Sequence, residues 1–210
     1  MGVKTANRST IYLKGSTKII VEFFEFAINS ILYQRGIYFS EDFKFVKKYG
    51  VTLVMTIDDS LKLYLKRLLP QVESWLMAGK IQKLVLAILD LDSRETLERW
   101  QFDIQVIDDN DSSKGSASAK KKEKTEKQIQ TEIREIIRQI TSSITFLPTL
   151  TDKCTFNILA YTDRDAEVPI EWGDSDPHII ENAEQVRLRS FSTNYHRVDA
   201  MVSYKLDEDL

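Results

Sequence analysis

Hydrophobic positions along this chain change period several times, and each change marks a predicted element. From Thr17 to Arg35 the apolar residues Ile19, Ile20, Val21, Phe23, Phe24, Phe26, Ala27, Ile28, Ile31, Leu32 and Tyr33 go most of the way round a helical wheel. A helix apolar on nearly every side is a buried one. The segment therefore predicts a central spine, with Ser16 as its N-cap and Gly36 as its stop. Ahead of it, Thr10 to Leu13 reads as a short strand.

Val51 to Ile57 predicts a second short strand. Asp58, Asp59 and Ser60 then cap a helix from Ser60 to Ala78, with Leu61, Leu65, Leu68, Leu69, Val72, Trp75 and Leu76 at helical spacing. Pro70 predicts a kink, because it removes one backbone donor and crowds the preceding turn. Gly79 ends the helix. Ile81 to Leu89 is a continuous apolar run, as in a central strand. Trp100, Phe102, Ile104 and Val106 alternate with Arg99, Gln101, Asp103 and Gln105, the period-two pattern of a strand with one buried face. Asp90 to Thr96 suits a hairpin loop, so these strands are expected to be antiparallel neighbours.

Residues 108–127 are polar and carry a lysine patch from Lys120 to Lys124, which predicts an exposed flexible loop within the domain. A third helix follows, with Ile129, Ile133, Ile136, Ile137, Ile140 and Ile144 in one stripe. Glu132, Arg134, Glu135, Arg138 and Gln139 lie off it, and Pro148 comes soon after its end. Phe156, Ile158 and Ala160 alternate as another strand. The tail, residues 161–210, holds a long loop with Pro169, Trp172, Gly173 and Pro177, then strands at Val186 to Arg189 and Val198 to Tyr204. Such a tail cannot fold alone and must pair with strands made earlier. The sum is one α+β domain, residues 1–210, with three helices packed on one face of a mostly antiparallel sheet.

Composition narrows the function classes. At 210 residues, 42% apolar and 29% charged, the chain is an ordinary globular domain, and a net charge of -3 gives no global reason to bind nucleic acid. A single cysteine, Cys154, cannot form an internal disulfide and fits a reducing compartment. No signal-peptide layout and no apolar run of about 18 residues is present, so no membrane span is expected. The two histidines, His178 and His196, have no metal-binding spacing, and no nucleophile-elbow, P-loop or dinucleotide motif occurs. Carboxylate pairs such as Asp58-Asp59 and Asp163/Asp165 sit at caps and loop ends, where structural roles are commoner. No enzyme activity, metal or cofactor is expected. The lysine patch could serve nuclear import or contact phosphate, but a solvated loop is the simpler reading. Trp75 stays open between core, interface and ligand pocket, with spacing favouring core. Arg35, Arg138 and Gln139 read as solvated, and Phe146 as core.

Four blocks go further. The run from Phe23 through Ile31-Leu32-Tyr33-Gln34-Arg35-Gly36 to Tyr38 resembles the first helix of the HORMA-domain spindle-checkpoint family. So do Leu97 to Asp103, Ile137 to Thr141 and Val186 to Phe191, and the resemblance runs from Ile11 to Tyr204. It implies a binding protein whose C-terminal segment, residues 161–210, is a mobile "safety belt". The open form keeps the belt at the sheet edge; the closed form carries it across the sheet and traps an extended partner peptide. The partners so implied are the kinetochore checkpoint receptor and the mitotic activator of the anaphase-promoting complex. An open–closed homodimer and an AAA+ ATPase with its adaptor are also implied, in nucleus, kinetochore and cytoplasm. The resemblance places Trp75, Phe156, Ile158, Val186 and Leu188 at the ligand peptide. It puts Arg35, Arg138, Gln139 and Phe146 on the dimer surface, and Leu13 in an N-terminal strand displaced on closing. A related HORMA adaptor, such as a translesion-polymerase accessory subunit, would share the fold with a different partner.

Overall fold

The computed structural model describes residues 3–107, 123–150 and 153–205, with side chains from Leu13 onward. The lysine patch lies outside these residues except for its last members, Glu123 and Lys124. Three helices, α1 (Val3–Gln34), α2 (Asp59–Ala78) and α3 (Glu126–Ser142), cover one face of a five-stranded antiparallel sheet. A separate hairpin pairs β1 (Phe43–Lys48) with β2 (Val51–Thr56). The main sheet holds β3 (Ile81–Asp90), β4 (Thr96–Val106), β5 (Cys154–Thr162), β6 (Glu184–Ser192) and β7 (His196–Tyr204), in the order β5-β3-β4-β7-β6. The tail thus supplies two strands beyond β4, while β5 forms the opposite edge.

The spine is as the hydrophobic wheel predicts: Ile20, Phe23, Phe24, Ala27, Ile31 and Leu32 are fully buried. Phe23 packs edge-on against Phe102 of β4 and Phe191 of β6, with ring centroids 5.7 and 4.8 Å apart. Its start is a correction. No strand forms at Thr10 to Leu13; α1 runs through them, and Leu13 is a half-buried helical residue. Ser16 caps nothing, because its hydroxyl turns inward to the tail. α2 begins with the Asp58 carboxylate accepting from the Leu61 N–H at 2.7 Å and ends at Gly79, whose φ of +65° only glycine adopts without cost. The helix continues through Pro70, which faces solvent, where water can satisfy the carbonyl left without its donor. α3 opens with a capping box of Thr125 and Gln128.

Three further expectations are corrected. The β1–β2 hairpin, turned by Tyr49 and Gly50 at φ 51° and 72°, carries Phe43 to Lys48, which the pattern left unassigned. Ile144 leaves the buried stripe and is 45% exposed, because α3 tightens into a 3-10 turn at Ser143–Thr145 and swings it outward. β4 is buried on both faces: Arg99 and Gln101 share the second face with Val85, Ala87, Leu89 and Leu159. The tail loop reaches that face at Pro177, whose carbonyl accepts from Arg99 and Tyr161.

Candidate binding groove beneath the tail loop

Among the described residues β5 pairs with β3 alone, and none of them forms a strand on its outer edge. A bare strand edge offers a row of backbone donors and acceptors. Here that edge borders a groove of about 820 Å³ between α2 and the loop of residues 163–183. Tyr64, Arg67, Leu68 and Gln71 of α2 form one wall; Pro169, Glu171, Trp172, Gly173 and Ser175 form the other; Asn157 and Ile158 of β5 are its floor. A second chamber of about 560 Å³ continues past Asn157 and Ser175 to Phe156, Arg94 and His178. Burial pushes the pKa of the Tyr64 hydroxyl up to about 12, and the backbone of Ile158 beside it pulls the value back in part. The Tyr64 ring meets Phe156 edge-on at 5.7 Å.

The loop is tied down on both sides of β5. Near its start, Lys80 pairs with Asp165 at 2.7 Å and the Gln82 amide donates to Asp163 at 2.7 Å. The ion pair lowers the pKa of the Asp165 carboxyl and raises that of the Lys80 ammonium. Trp75, buried under the loop, donates from Nε1 to the Glu167 carbonyl at 2.8 Å, and its ring meets that of Trp172 at 4.8 Å and 72°. The chain then rounds the β5 edge, where the Asn157 amide donates to Ser175 at 3.3 Å. On the far face the Pro177 carbonyl accepts from Arg99 Nε and from the Tyr161 hydroxyl, each at 3.3 Å. The His178 ring lies between Thr96 and Asn157, at 3.2 and 3.3 Å. The groove is thus a strand-width slot with a strap across it, anchored at Trp75 before the edge and at His178 beyond it.

The structure gathers Trp75, Phe156 and Ile158 around this slot. It does not bring Val186 and Leu188 there. They are half-buried on β6, at the opposite edge of the sheet, packed against the helix layer. The dimer-surface set also divides. Arg138 is exposed and Gln139 partly so, both on α3. Phe146 is 42% exposed rather than core, its ring 6.4 Å from that of Tyr204. Arg35 is not solvated: it is buried, donates from Nε to Glu98 at 2.8 Å, and also donates to the Pro148 carbonyl. Glu98 accepts a further bond from Trp100 Nε1 at 3.2 Å. Burial pushes the Glu98 carboxyl up, and Arg35 pulls it back in part. Tyr64, Asn157 and Trp172 are groove residues that spacing did not single out; the signal available was a Trp-Gly pair in a proline-bounded loop. His196 pairs with Ser16, but both are sealed from solvent, so the pair has no access to substrate. No cluster of metal-ligating side chains occurs among the described residues.

The HORMA domain model matches residues 16–196. The mitotic spindle checkpoint component mad2 of Schizosaccharomyces pombe is 48% identical over 200 residues, covering 95% of this chain and 97% of that protein. The human mitotic spindle assembly checkpoint protein MAD2A is 50% identical, covering 98% of each chain. This chain belongs to the HORMA-domain family of mitotic spindle checkpoint proteins. A chain in the crystal structure of the mitotic checkpoint complex superposes on it with a TM-score of 0.82 at 47% identity, covering 91% of this chain and 99% of that one. No described helix is long and apolar enough to cross a membrane.

Proposed function

We propose that this checkpoint-family protein traps an extended peptide as a sixth strand on the outer edge of β5, beneath the 163–183 strap. The observation that carries the proposal is the bare edge itself, buried in a slot whose strap is anchored on both sides. Added-strand recognition draws affinity from main-chain hydrogen bonds and specificity from side-chain pockets; Tyr64, Leu68, Ile158 and Trp172 supply apolar pocket walls. The helical Leu13 and the tail strands beside β4 support reading this arrangement as the closed form. The alternative form would hold the tail elsewhere and leave the slot without its strap. Moving such an equilibrium from 1:99 to 99:1 takes about 5.5 kcal/mol of differential binding. Burying a few apolar side chains at about 1.5–3 kcal/mol each is enough.

The partners so proposed are the kinetochore checkpoint receptor and the activator of the anaphase-promoting complex, whose capture delays anaphase. Pairing of open with closed copies and reopening by an AAA+ ATPase with its adaptor complete the cycle, in nucleus, cytoplasm and at kinetochores. The action is binding without catalysis. Likeness along nearly the whole chain to checkpoint proteins favours this reading over another HORMA adaptor. Synthetic peptides from each partner class test it by calorimetry. Trp75→Ala removes the strap's anchor and should weaken binding by roughly 2 kcal/mol or more, the scale of an interface hot spot. Affinity unchanged in a folded Trp75→Ala protein would refute the strapped slot as the ligand site.

A further inference from the structure

Two polar residues interrupt the buried face of α1 near its middle. Ser16 is 5% exposed and Thr17 fully buried, one turn before Ile20. A buried hydroxyl is costly unless it is hydrogen-bonded. Ser16 finds its partners at the other end of the chain: Thr193 Oγ1 at 2.6 Å and His196 Nδ1 at 2.8 Å. Both belong to the tail hairpin, Thr193 in the turn after β6 and His196 at the start of β7.

One direction of bonding satisfies all three side chains. Thr193 Oγ1 already accepts the His196 N–H at 2.9 Å and the Tyr195 N–H at 3.2 Å, which fold the turn between the two strands. Its own proton goes to Ser16, nearer than the His196 carbonyl at 3.3 Å. The Ser16 proton is then free for His196 Nδ1, while the backbone of Leu76 at the end of α2 offsets in part the effect of burial on the imidazole. Burial holds the imidazole below its ordinary pKa, so it is neutral and can accept. All three side chains are at most 5% exposed, so water competes poorly for these bonds. Thr17, by contrast, has a buried hydroxyl with no partner.

We infer that Ser16, Thr193 and His196 form a catch that fastens α1 to the β6–β7 hairpin, so that the helical N-terminal segment and the docked tail hold or release as one unit. The catch explains why the hairpin turn, and not only its strands, is ordered by hydrogen bonds reaching the first helix. It also gives neighbouring substitutions opposite signs. Ser16→Ala breaks the chain and leaves His196 Nδ1 without its partner. Thr17→Val replaces an unpaired hydroxyl by a methyl group of the same shape, which favours the arrangement seen here.

That docking is one of two states rests on the proposed function, so the test separates the two ideas. Amide hydrogen exchange of the full chain is measured for wild type and variants. Ser16→Ala should speed exchange by roughly fivefold to tenfold, about one buried hydrogen bond's worth, in residues 3–16 and 184–204 together. Thr17→Val should slow both. Thr193→Val added to Ser16→Ala should speed exchange further in the 193–196 turn, where its hydroxyl accepts the Tyr195 and His196 N–H, but add little in residues 3–16, where the catch is already broken. Faster exchange at one end alone in Ser16→Ala, or fully additive effects in residues 3–16, would overturn the catch. Ion-exchange chromatography of the same samples reads the other idea. Two wild-type monomer peaks whose ratio falls in Ser16→Ala support both; one wild-type peak overturns the two-state reading and leaves the exchange result to decide the catch.

Discussion

Arg35 shows how much a single side chain's surroundings decide. By helical spacing it is a polar residue at the end of an apolar helix and could as well face solvent. In the fold it is 9% exposed, paired with a Glu98 that is 1% exposed, and it reaches the Pro148 carbonyl. Breaking such a pair by removing one partner leaves a buried charge uncompensated and costs about 3–5 kcal/mol. Arg35→Ala should therefore lower unfolding stability by that amount in a urea titration, with loss of self-association only as a consequence. Full stability with selective loss of the dimer would show that Arg35 works at the surface instead. Trp75 was likewise open between core and pocket; it is buried, and what covers it is the 163–183 loop, whose Glu167 carbonyl it holds.

Among elements, those with a clear local pattern were legible in advance: the spine, α2, the β3–β4 hairpin, α3, and the strands β2, β5, β6 and β7. The pattern failed at Thr10 to Leu13 and at β1. Thr10 to Leu13 carries β-branched and aromatic residues that suit a strand, but a strand needs an edge, and the tail hairpin already occupies the outer side of β4. β1 was missed because Lys44, Lys47 and Lys48 dilute its alternation and its turn relies on the positive φ of Tyr49 and Gly50. The groove was half legible: Phe156 and Ile158 line its two chambers and Trp75 holds the strap over it, while Val186 and Leu188 face the helix layer from the far edge. Only the sheet order could separate these two strands, and no local pattern encodes sheet order. The tail hairpin itself hangs on β7, whose register pairs Glu98 with Tyr204 and Val106 with His196. Deleting residues 201–210 removes the half of β7 that pairs Glu98 to Gln101. Such a protein should lose the strap's far anchorage and release bound peptide quickly, seen as a raised dissociation rate in surface plasmon resonance. Retention as slow as in the full chain would separate the strap from the hairpin.

At the scale of the whole molecule, the two proposed surfaces lie on opposite sides. The ligand slot is at β5, one edge of the sheet; Arg138 and Gln139 are on α3, which packs beside β6 at the other edge. Sites so separated act independently unless a shared element moves. Gln139 is part of such an element, because its Oε1 accepts the Arg189 N–H of β6 at 2.5 Å, so replacing it disturbs the tail hairpin as well as the surface. Arg138 is exposed and can change sign without uncovering a buried group. Arg138→Glu should then abolish self-association in light scattering while leaving peptide affinity within about 0.5 kcal/mol of wild type, the usual tolerance for independent sites. Gln139→Ala should weaken both. If Arg138→Glu also weakened peptide binding, α3 would be coupled to the slot through the sheet, and the partner surface would be sensing whether the slot is filled.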